Sequence, residues 1–220
     1  MITVKDLKKD KEVQAIMETC EKQIDALNYT EHSQRHNSIV SSWTGMILKE
    51  IGYDERTVRL GEIAGYLHDI GNALARHNHA TSGALLAYKL LVDRGMSYVD
   101  AAEIMMAIGN HDEKHGIPVS PICSAVIIAD KSDVHKSRVA NKIIDGEMNI
   151  HDRVNLAVNS SFVKVDATNK TIDTIIETDA NLCSVADYFE IYHTRMLMCE
   201  KAAELVGYKY GLLINGTRVL

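Results

Sequence analysis

Histidine and aspartate side chains recur through the first two thirds of the chain in a pattern that indicates a metal centre. The tetrapeptide His68-Asp69-Ile70-Gly71 lies within an ordered set whose other members are His36, His79, His111 and Asp130. Each of these side chains can donate a lone pair to a divalent metal. Neighbouring His68 and Asp69 can both reach one metal where a helix ends, and Gly71 is a candidate terminator of that helix. The set predicts a metal site and metal-assisted hydrolysis.

These residues are too far apart in the sequence to share one helix. His36 lies 32 residues before His68, and Asp130 lies 61 residues after Asp69. They must therefore converge from separate helices, as the ligands of metal sites inside helix bundles do. Taken singly, each residue also has a structural interpretation, as a buried histidine bonded to a carboxylate or an aspartate that caps a helix. The complete ordered set favours the metal site.

The remaining histidines are assigned by their distance from this set. Eight of the ten histidines lie between His32 and His135. His32 stands four residues before His36 on the same helical face, so it is a candidate ligand or a support for one. We expect His115, four residues after His111, to act as an acid or a substrate contact. Surface or capping positions are predicted for four others: His77, His135, His151 and His193.

Apolar residues at helical spacing, together with capping signals, predict helices through most of the first 150 residues. The predicted helices span 5–27, 30–51, 54–69, 79–94 and 97–111, with N-caps at Thr30, Asp54 and Ser97 and stops at Gly52 and Gly95. Residues 122–130 form an apolar run that ends at Asp130. Its β-branched content would also suit a buried strand, but its helical neighbours favour a buried helix.

The pattern changes to alternation after about Asn159. Residues 161–166 and 171–177 alternate on either side of a turn-like segment and predict a β-hairpin. Asp179 is a candidate cap for a long helix over about 182–206, and Asn215-Gly216 predicts a type I′ turn between two short strands. The chain is therefore expected to be mostly α. We predict a helical domain over residues 1–159 and, packed on it, a small α+β extension with an antiparallel sheet over 160–220.

Composition and charge exclude several classes of partner. The chain has 220 residues, 46% hydrophobic and 25% charged, which is typical of a globular protein. Its formal charge of -6 provides no general basic field for nucleic acid. No apolar run reaches the roughly 20 residues that a membrane span requires. The N-terminus lacks the apolar core of a signal peptide, and the four cysteines form no CxxC pair. We expect a cytoplasmic protein with reduced, mostly buried thiols.

The chain resembles the HD superfamily of metal-dependent phosphohydrolases, and within it the HDIG-type members. The resemblance rests on the segment His36-Asn37-Ser38-Ile39-Val40, on residues 65–71 and on Ala129-Asp130, and it covers roughly Glu31 to Val139. It implies an HD-domain helical bundle. It also implies that a first divalent metal is bound by His36, His68, Asp69 and Asp130.

The same resemblance implies a second metal. Binuclear members of the superfamily place two extra histidines after the HD pair, here His79 and His111, and their HD aspartate bridges both metals. Iron or manganese is favoured for such a pair; magnesium, nickel, cobalt and zinc are further candidates. The segments that contain these two histidines, residues 79–84 and 110–113, are similar to HD-GYP domains. However, Asn72 and the short Gly116-Ile117-Pro118 loop depart from that pattern, so cyclic di-GMP hydrolysis is not expected. Asn110 stands where a trinuclear centre would need another histidine, so one or two metals are expected.

Hydrolysis of a phosphoester is the implied function, and its substrate would be a small phosphorylated molecule, with nucleotides among the candidates. Asp69 would orient the attacking hydroxide or bridge two metals, and Lys131 would neutralise charge on the phosphoryl oxygens. The sequence offers four further candidate cations: Arg35, Arg76, Lys114 and Arg138. Solvated surface positions are favoured for Arg76 and Arg138.

Two other functions fit the same residues. A di-iron oxygenase of the same superfamily would use a similar His/Asp set and would consume oxygen without releasing phosphate. A non-catalytic module would hold a metal that has no open coordination position. The C-terminal sheet is a candidate lid over the cleft or a candidate edge for a homodimer, and the sequence leaves both open.

Overall fold

Helices surround the predicted metal ligands, and a small sheet lies at the C-terminal end of the chain. The computed structural model describes residues 2–27, 29, 34–139 and 150–220. The α-helices are α1 (Val4–Leu7), α2 (Lys11–Ala26), α3 (Gln34–Ile51), α4 (Glu55–Leu67), α5 (His79–Asp93), α6 (Tyr98–Gly109), α7 (Pro121–Ser132), α8 (Ile150–Ala157) and α9 (Val185–Leu205). Short 3-10 turns cover Ile70–Ala73 and Lys136–Arg138. The predicted mostly α architecture is confirmed.

Capping side chains begin these helices close to the predicted positions. Asp54 accepts a hydrogen bond from the backbone N–H of Thr57 at 2.8 Å, and Ser97 accepts one from Asp100 at 3.1 Å. Both satisfy N–H groups that a first helical turn leaves without partners. The predicted cap at Thr30 and the candidate ligand His32 lie outside the described residues.

Helix α7 confirms the buried-helix interpretation of the long apolar run. Ser120 accepts a hydrogen bond from the N–H of Cys123 at 3.2 Å, and Pro121 occupies the first turn, where its missing N–H has no cost. Every residue from Ile122 to Ala129 is buried. A helix that is apolar all round lies inside a protein, and here it carries Asp130 into the interior.

The long C-terminal helix, α9, begins three residues later than predicted. Ser184 and Asp187 form a capping box, in which each side chain bonds the other's backbone N–H. The predicted cap, Asp179, instead accepts a hydrogen bond from the N–H of Asn181 at 2.9 Å. The prediction of Asp179 as the cap is wrong because a separate turn comes between this residue and the helix.

The C-terminal sheet is mixed rather than purely antiparallel. Its strands, in spatial order, are β1 (Val158–Asp166), β2 (Thr171–Thr178), β3 (Lys209–Ile214) and β4 (Thr217–Arg218). The predicted hairpins β1–β2 and β3–β4 are antiparallel, but β2 and β3 pair in parallel. The chain returns through α9 between these two strands, and a helical crossover is the usual connection of a parallel pair.

The extension and the helical part share one hydrophobic core. Buried residues of α3, α4, α6 and α7 form a cluster with Val163, Ile172, Met198 and Cys199 from the extension. All four cysteines are free and buried, as expected. The division at residue 160 remains a prediction, and β1 begins slightly earlier, at Val158. Among the described residues no helix is both long and apolar enough to cross a bilayer.

Candidate metal centre

Five elements bring the predicted ligands together. His36 lies in α3, His68 caps the C-terminal end of α4 and Asp69 follows it, while His79 begins α5. The other two ligands are His111, just after α6, and Asp130 in α7. The four histidines and Asp69 are each at most 4% exposed. Ligands that are distant in sequence therefore meet at one buried point, as the spacing required.

The two oxygens of Asp69 face different histidines. Its Oδ2 lies 3.3 Å from Nε2 of His68 and 4.0 Å from Nε2 of His36. Its Oδ1 lies 3.3 Å from Nε2 of His79 and 3.8 Å from Nε2 of His111. Asp69 is thus positioned between two pairs of histidines.

Asp130 closes the first of these two groups. Its Oδ1 lies 3.2 Å from Nε2 of His36 and 3.7 Å from Nε2 of His68. Two clusters have donor atoms close enough together to hold a metal ion: His36, His68 and Asp130, and His68, Asp69 and His111. The two clusters share His68 and contain five of the six predicted ligands. The sixth, His79, adjoins them through Oδ1 of Asp69 at 3.3 Å.

The outer nitrogen of each histidine is bound to an acceptor. Nδ1 of His68 lies 2.8 Å from the carbonyl oxygen of Gly65. Nδ1 of His79 lies 3.1 Å from the carbonyl oxygen of Arg76, and Nδ1 of His111 lies 2.7 Å from that of Ile108. Nδ1 of His36 lies 2.7 Å from Oδ2 of Asp133. Because these oxygens only accept, each Nδ1 carries the proton. In the neutral ring, the Nε2 lone pair then points to the centre, the usual arrangement of metal-binding histidines.

The inward nitrogens fit a cation better than they fit each other. Nε2 of His79 lies 3.3 Å from Nε2 of His111, and both rings already hold their protons on Nδ1. Two lone pairs this close repel unless a positive centre lies beside them. Nε2 of His68 is buried and makes no well-formed hydrogen bond to the described residues. The residues present therefore fit a bound metal.

Comparison with protein families agrees with this geometry. Residues 30–137 match the family model of the HD domain. This chain contains an HD domain. The match begins just before α3 and ends just after α7, so it includes all six predicted ligands. The resemblance seen in the sequence is confirmed at the level of the family.

Relatives of the HD domain occur in much longer proteins. The chain is 34% identical over 106 residues to ribonuclease Y of Lawsonia intracellularis, covering 47% of this chain and 18% of that protein. It is 29% identical over 140 residues to ribonuclease Y of Latilactobacillus sakei, covering 63% and 25%. The chain thus spans at most a quarter of these relatives. A solved structure, a predicted HD superfamily hydrolase from an uncultured Thermotogales bacterium, has 24% identity and a TM-score of 0.45, covering 61% of this chain and 75% of that one.

The pKa values of two histidines of the HD domain are shifted in opposite directions. Burial alone would lower the pKa of His68, but the carboxylates of Asp69 and Asp130 outweigh it and raise that pKa to about 10. Burial lowers the pKa of His111 to about 4, although Asp69 opposes the shift. Burial disfavours the Asp130 carboxylate, yet Lys131 and the neighbouring histidines hold its pKa well below the usual range. Near neutral pH the Asp130 carboxylate and the His111 imidazole are therefore ready to bind a metal, whereas His68 must first lose a proton.

Gly71 of the HD tetrapeptide is needed for close packing rather than for helix termination. Helix α4 ends before it, and its φ is not in the left-handed region. A Cβ at this position would lie 2.0 Å from the carbonyl oxygen of His79 and 2.5 Å from the backbone nitrogen of Gly83. Glycine therefore lets the turn after Asp69 touch the start of α5, which carries His79. The prediction of Gly71 as a terminator is wrong.

Two connected spaces lie over the ligands. The inner chamber, a cavity of about 30 Å³, is lined by Asp69, Arg76, His79, His111, Asp112, Glu113, Asp130, Lys131, Arg138 and Arg195. The outer cavity, of about 310 Å³, shares six of these residues and adds Tyr29, His77, Asn78, Lys114, His115, Asn155 and Tyr192. Since a volume near 300 Å³ is at the small end of ligand sites, the outer cavity suits a small molecule.

The candidate catalytic residues occupy different parts of these spaces. Lys131 lines the inner chamber and pairs with Asp130. His115 is exposed at the outer cavity and does not line the inner chamber. His77 also lines the outer cavity, while His135 caps a 3-10 turn as expected. His193 is exposed, and the side chain of His151 lies outside the described residues.

The candidate cations are distributed differently from the sequence expectation. Arg138 is buried, and Arg76 lies 3.7 Å from Oδ1 of Asp69. Both line the two spaces, so their assignment to the solvated surface is wrong. Lys114 lines the outer cavity only, whereas Arg35 pairs with Asp133 at 3.3 Å and lines neither.

Asp133 and Arg195 are among the residues of the site that were not found from the sequence. Asp133 supports His36, and its position three residues after Asp130 on the same chain segment was the available signal. Arg195 lines both spaces from α9, outside the matched HD residues. It is 82 residues away from its partner Glu113, and nothing in its local sequence indicates the contact.

Proposed function

We propose that this protein is a metal-dependent phosphohydrolase that holds two divalent metals and cleaves a small phosphoester. The observation that carries the proposal is the division of Asp69 between two histidine pairs, beside a chamber whose lining includes four cationic side chains. The first metal would be held by His36, His68, Asp69 and Asp130, and the second by His79, His111 and Asp69. Iron or manganese is the favoured pair, since imidazole together with carboxylate suits such ions.

The charges around the inner chamber support an anionic substrate. Among the described lining residues, four carboxylates face four cationic side chains: Asp69, Asp112, Glu113 and Asp130 against Arg76, Lys131, Arg138 and Arg195. The protein side chains are thus balanced by themselves. Divalent metals would add a positive excess, lower the pKa of water and polarise a phosphoryl group. A phosphate ester, rather than a neutral ligand, matches that excess.

The chain's own side chains would then position the reactants. Asp69 would orient the attacking water by accepting its hydrogen bond. Lys131 and Arg76, which flank the carboxylates, would donate hydrogen bonds to phosphoryl oxygens as their negative charge grows. His115 would contact the leaving group, since it lies at the outer cavity and away from the ligands.

A phosphodiester of RNA is the second candidate substrate. It is favoured by the two relatives, both of which are named ribonuclease Y. The outer cavity of about 310 Å³ would admit only a terminal or splayed-out nucleotide of such a chain. A comparison between an RNA oligonucleotide and mononucleotides therefore separates the two candidates.

Elemental analysis combined with phosphate-release assays tests the proposal. We expect two equivalents of divalent metal in the full chain, and loss of both metal uptake and turnover in Asp69→Ala. Asp93→Ala removes an exposed carboxylate, paired with Lys89, and should change neither. Full activity of Asp69→Ala would exclude the proposed mechanism. Oxygen consumption with bound iron and no phosphate release would support the oxygenase, and bound metal with neither reaction would support the non-catalytic module.

A further inference from the structure

Arg195 brings the C-terminal extension to the metal centre. It lies on α9, 58 residues beyond the end of the matched HD domain, yet lines both the inner chamber and the outer cavity. Helix α9 packs against α7, the helix of Asp130 and Lys131. The wall of the site that faces the ligands is therefore built partly outside the HD domain.

Two contacts hold the Arg195 guanidinium in place. Its Nε donates a hydrogen bond to Oε2 of Glu113 at 2.9 Å, and its central carbon lies 4.7 Å from the centroid of the Tyr192 ring. An arginine that stacks on an aromatic ring and is held at Nε loses little further freedom when it binds an anion. The side chain is 26% exposed, so it is accessible from the cavity.

The remaining donors of Arg195 make no hydrogen bond to any residue that the structure describes. A guanidinium has five N–H donors, and Nε supplies only one. Within the described part of the chain, the terminal amino groups of Arg195 donate no hydrogen bond, whereas Arg76 donates to Asn72 and Arg138 to the carbonyl oxygen of Asp133. The planar terminal amino groups match the geometry of two oxygens on one phosphate.

We propose that Arg195 is a substrate-binding residue that donates hydrogen bonds to phosphoryl oxygens at the metal centre, so that the C-terminal extension completes the site. This inference rests on the proposed function. Glu113 is then a positioning residue, because it holds the guanidinium without contacting the substrate. Tyr192 and Asn155, also from outside the HD domain, line the outer cavity where the leaving group would lie. The HD domain supplies the metal ligands, and the extension contributes to substrate recognition.

Binding of inorganic phosphate to the metal-loaded full chain tests this role without an identified substrate. We expect Arg195→Gln to weaken phosphate binding by roughly 10- to 100-fold, which is the value of a hydrogen bond to a charged group. Arg195→Lys keeps the charge but loses the paired donors, so its phosphate affinity should lie between that of the unaltered chain and that of Arg195→Gln. Arg153→Gln is the matched control, because Arg153 is also paired with a carboxylate, Asp187, but lies outside both spaces. It should bind phosphate as the unaltered chain does.

Metal content and thermal unfolding, measured on the same samples, separate binding from folding. The proposal requires Arg195→Lys to keep the full metal content while losing phosphate affinity. Unchanged phosphate affinity in Arg195→Gln or Arg195→Lys would overturn the assignment of Arg195 and leave the proposed function standing. Loss of metal from both variants would overturn it too, because it would indicate a structural role. If the unaltered chain binds no phosphate when loaded with metal, the proposed function itself fails.

Discussion

Oδ2 of Asp133 lies 2.7 Å from Nδ1 of His36, on the side of the ring that faces away from the other ligands. The same carboxylate contacts Arg35 at 3.3 Å and Arg138 at 3.9 Å. Burial would raise the pKa of Asp133, but His36, Arg138 and Arg35 hold it below the usual range. Of the four predicted histidine ligands, His36 is therefore the one whose Nδ1 is bound to a charged carboxylate; the other three are bound to backbone carbonyl oxygens. Such a carboxylate makes the imidazole a stronger base and fixes its orientation.

Replacing Asp133 by asparagine should weaken metal binding by about 10- to 100-fold, the usual effect of losing such a support. Chelator competition gives the affinity. Arg35→Gln removes another partner of Asp133 without touching His36, and should change the affinity much less. Equal affinities in Asp133→Asn and the unaltered chain would show that His36 does not depend on this carboxylate, or does not bind the metal.

The residue types of the candidate ligands were readable from the sequence, because a lone pair and a position at a helix end are local properties. The contacts that hold the site's side chains in place could not be read from the sequence. Asp133 contacts His36, and Arg195, which lines the site, contacts Glu113. Both contacts join residues that are far apart in the sequence, so they depend on how the helices pack. The burial of Arg138 also results from this packing. The sequence showed only its charge, which favoured a position on the solvated surface.

The sheet illustrates the same limit. Both hairpins follow from alternation and a turn dipeptide, and Asn215 and Gly216 have the positive φ values, 49° and 77°, that a type I′ turn requires. The parallel pairing of β2 with β3 depends instead on the path of α9. No alternation within a single strand encodes the direction of its neighbour.

Each of the two histidine pairs should be required for one of the two metals. His79 and His111 face Oδ1 of Asp69, so His79→Ala and His111→Ala should each reduce the bound metal from two equivalents to one. His36→Ala removes a ligand from the other pair and, if the sites are independent, should also leave one equivalent. His193→Ala, an exposed histidine on α9, should leave the content unchanged. One equivalent in the unaltered chain, retained in His79→Ala, would exclude the binuclear centre.

Metal uptake near pH 7 should release one proton from His68. Its pKa is raised to about 10 in the metal-free protein, so the ring is charged at pH 7 and Nε2 must lose its proton to bind a metal. Affinity should therefore rise with pH, by up to tenfold per unit below that pKa from this group alone. His111 should add no proton, since its pKa is lowered to about 4.

Titration calorimetry in two buffers with different ionisation enthalpies measures this proton release. The observed binding enthalpy should change with the buffer by at least one ionisation enthalpy per metal at the site that contains His68. Identical enthalpies in both buffers, or an affinity that falls as the pH rises, would contradict a protonated His68 in the metal-free protein.

Gly71→Ala should destabilise the protein and disturb the second pair of ligands. The added Cβ would lie 2.0 Å from the carbonyl oxygen of His79 and 2.5 Å from the nitrogen of Gly83, both backbone atoms that cannot rotate away. Overpacking of this kind costs about 3 kcal/mol, which corresponds to a fall in melting temperature of roughly 6–12 °C for a chain of this size. Because α5 must move, His79 should also bind its metal more weakly.

Gly109→Ala is the matched control for this substitution. Gly109 ends α6, close to His111, but the nearest atom to its added Cβ is that of Ala84 at 3.6 Å, an ordinary contact. This variant should change the unfolding free energy by less than about 1 kcal/mol, since alanine is the better helix former. Denaturant unfolding of the metal-free proteins separates packing from metal binding. Equal stability of the two variants would contradict the close contact between the HD turn and α5, and with it the packing role of Gly71.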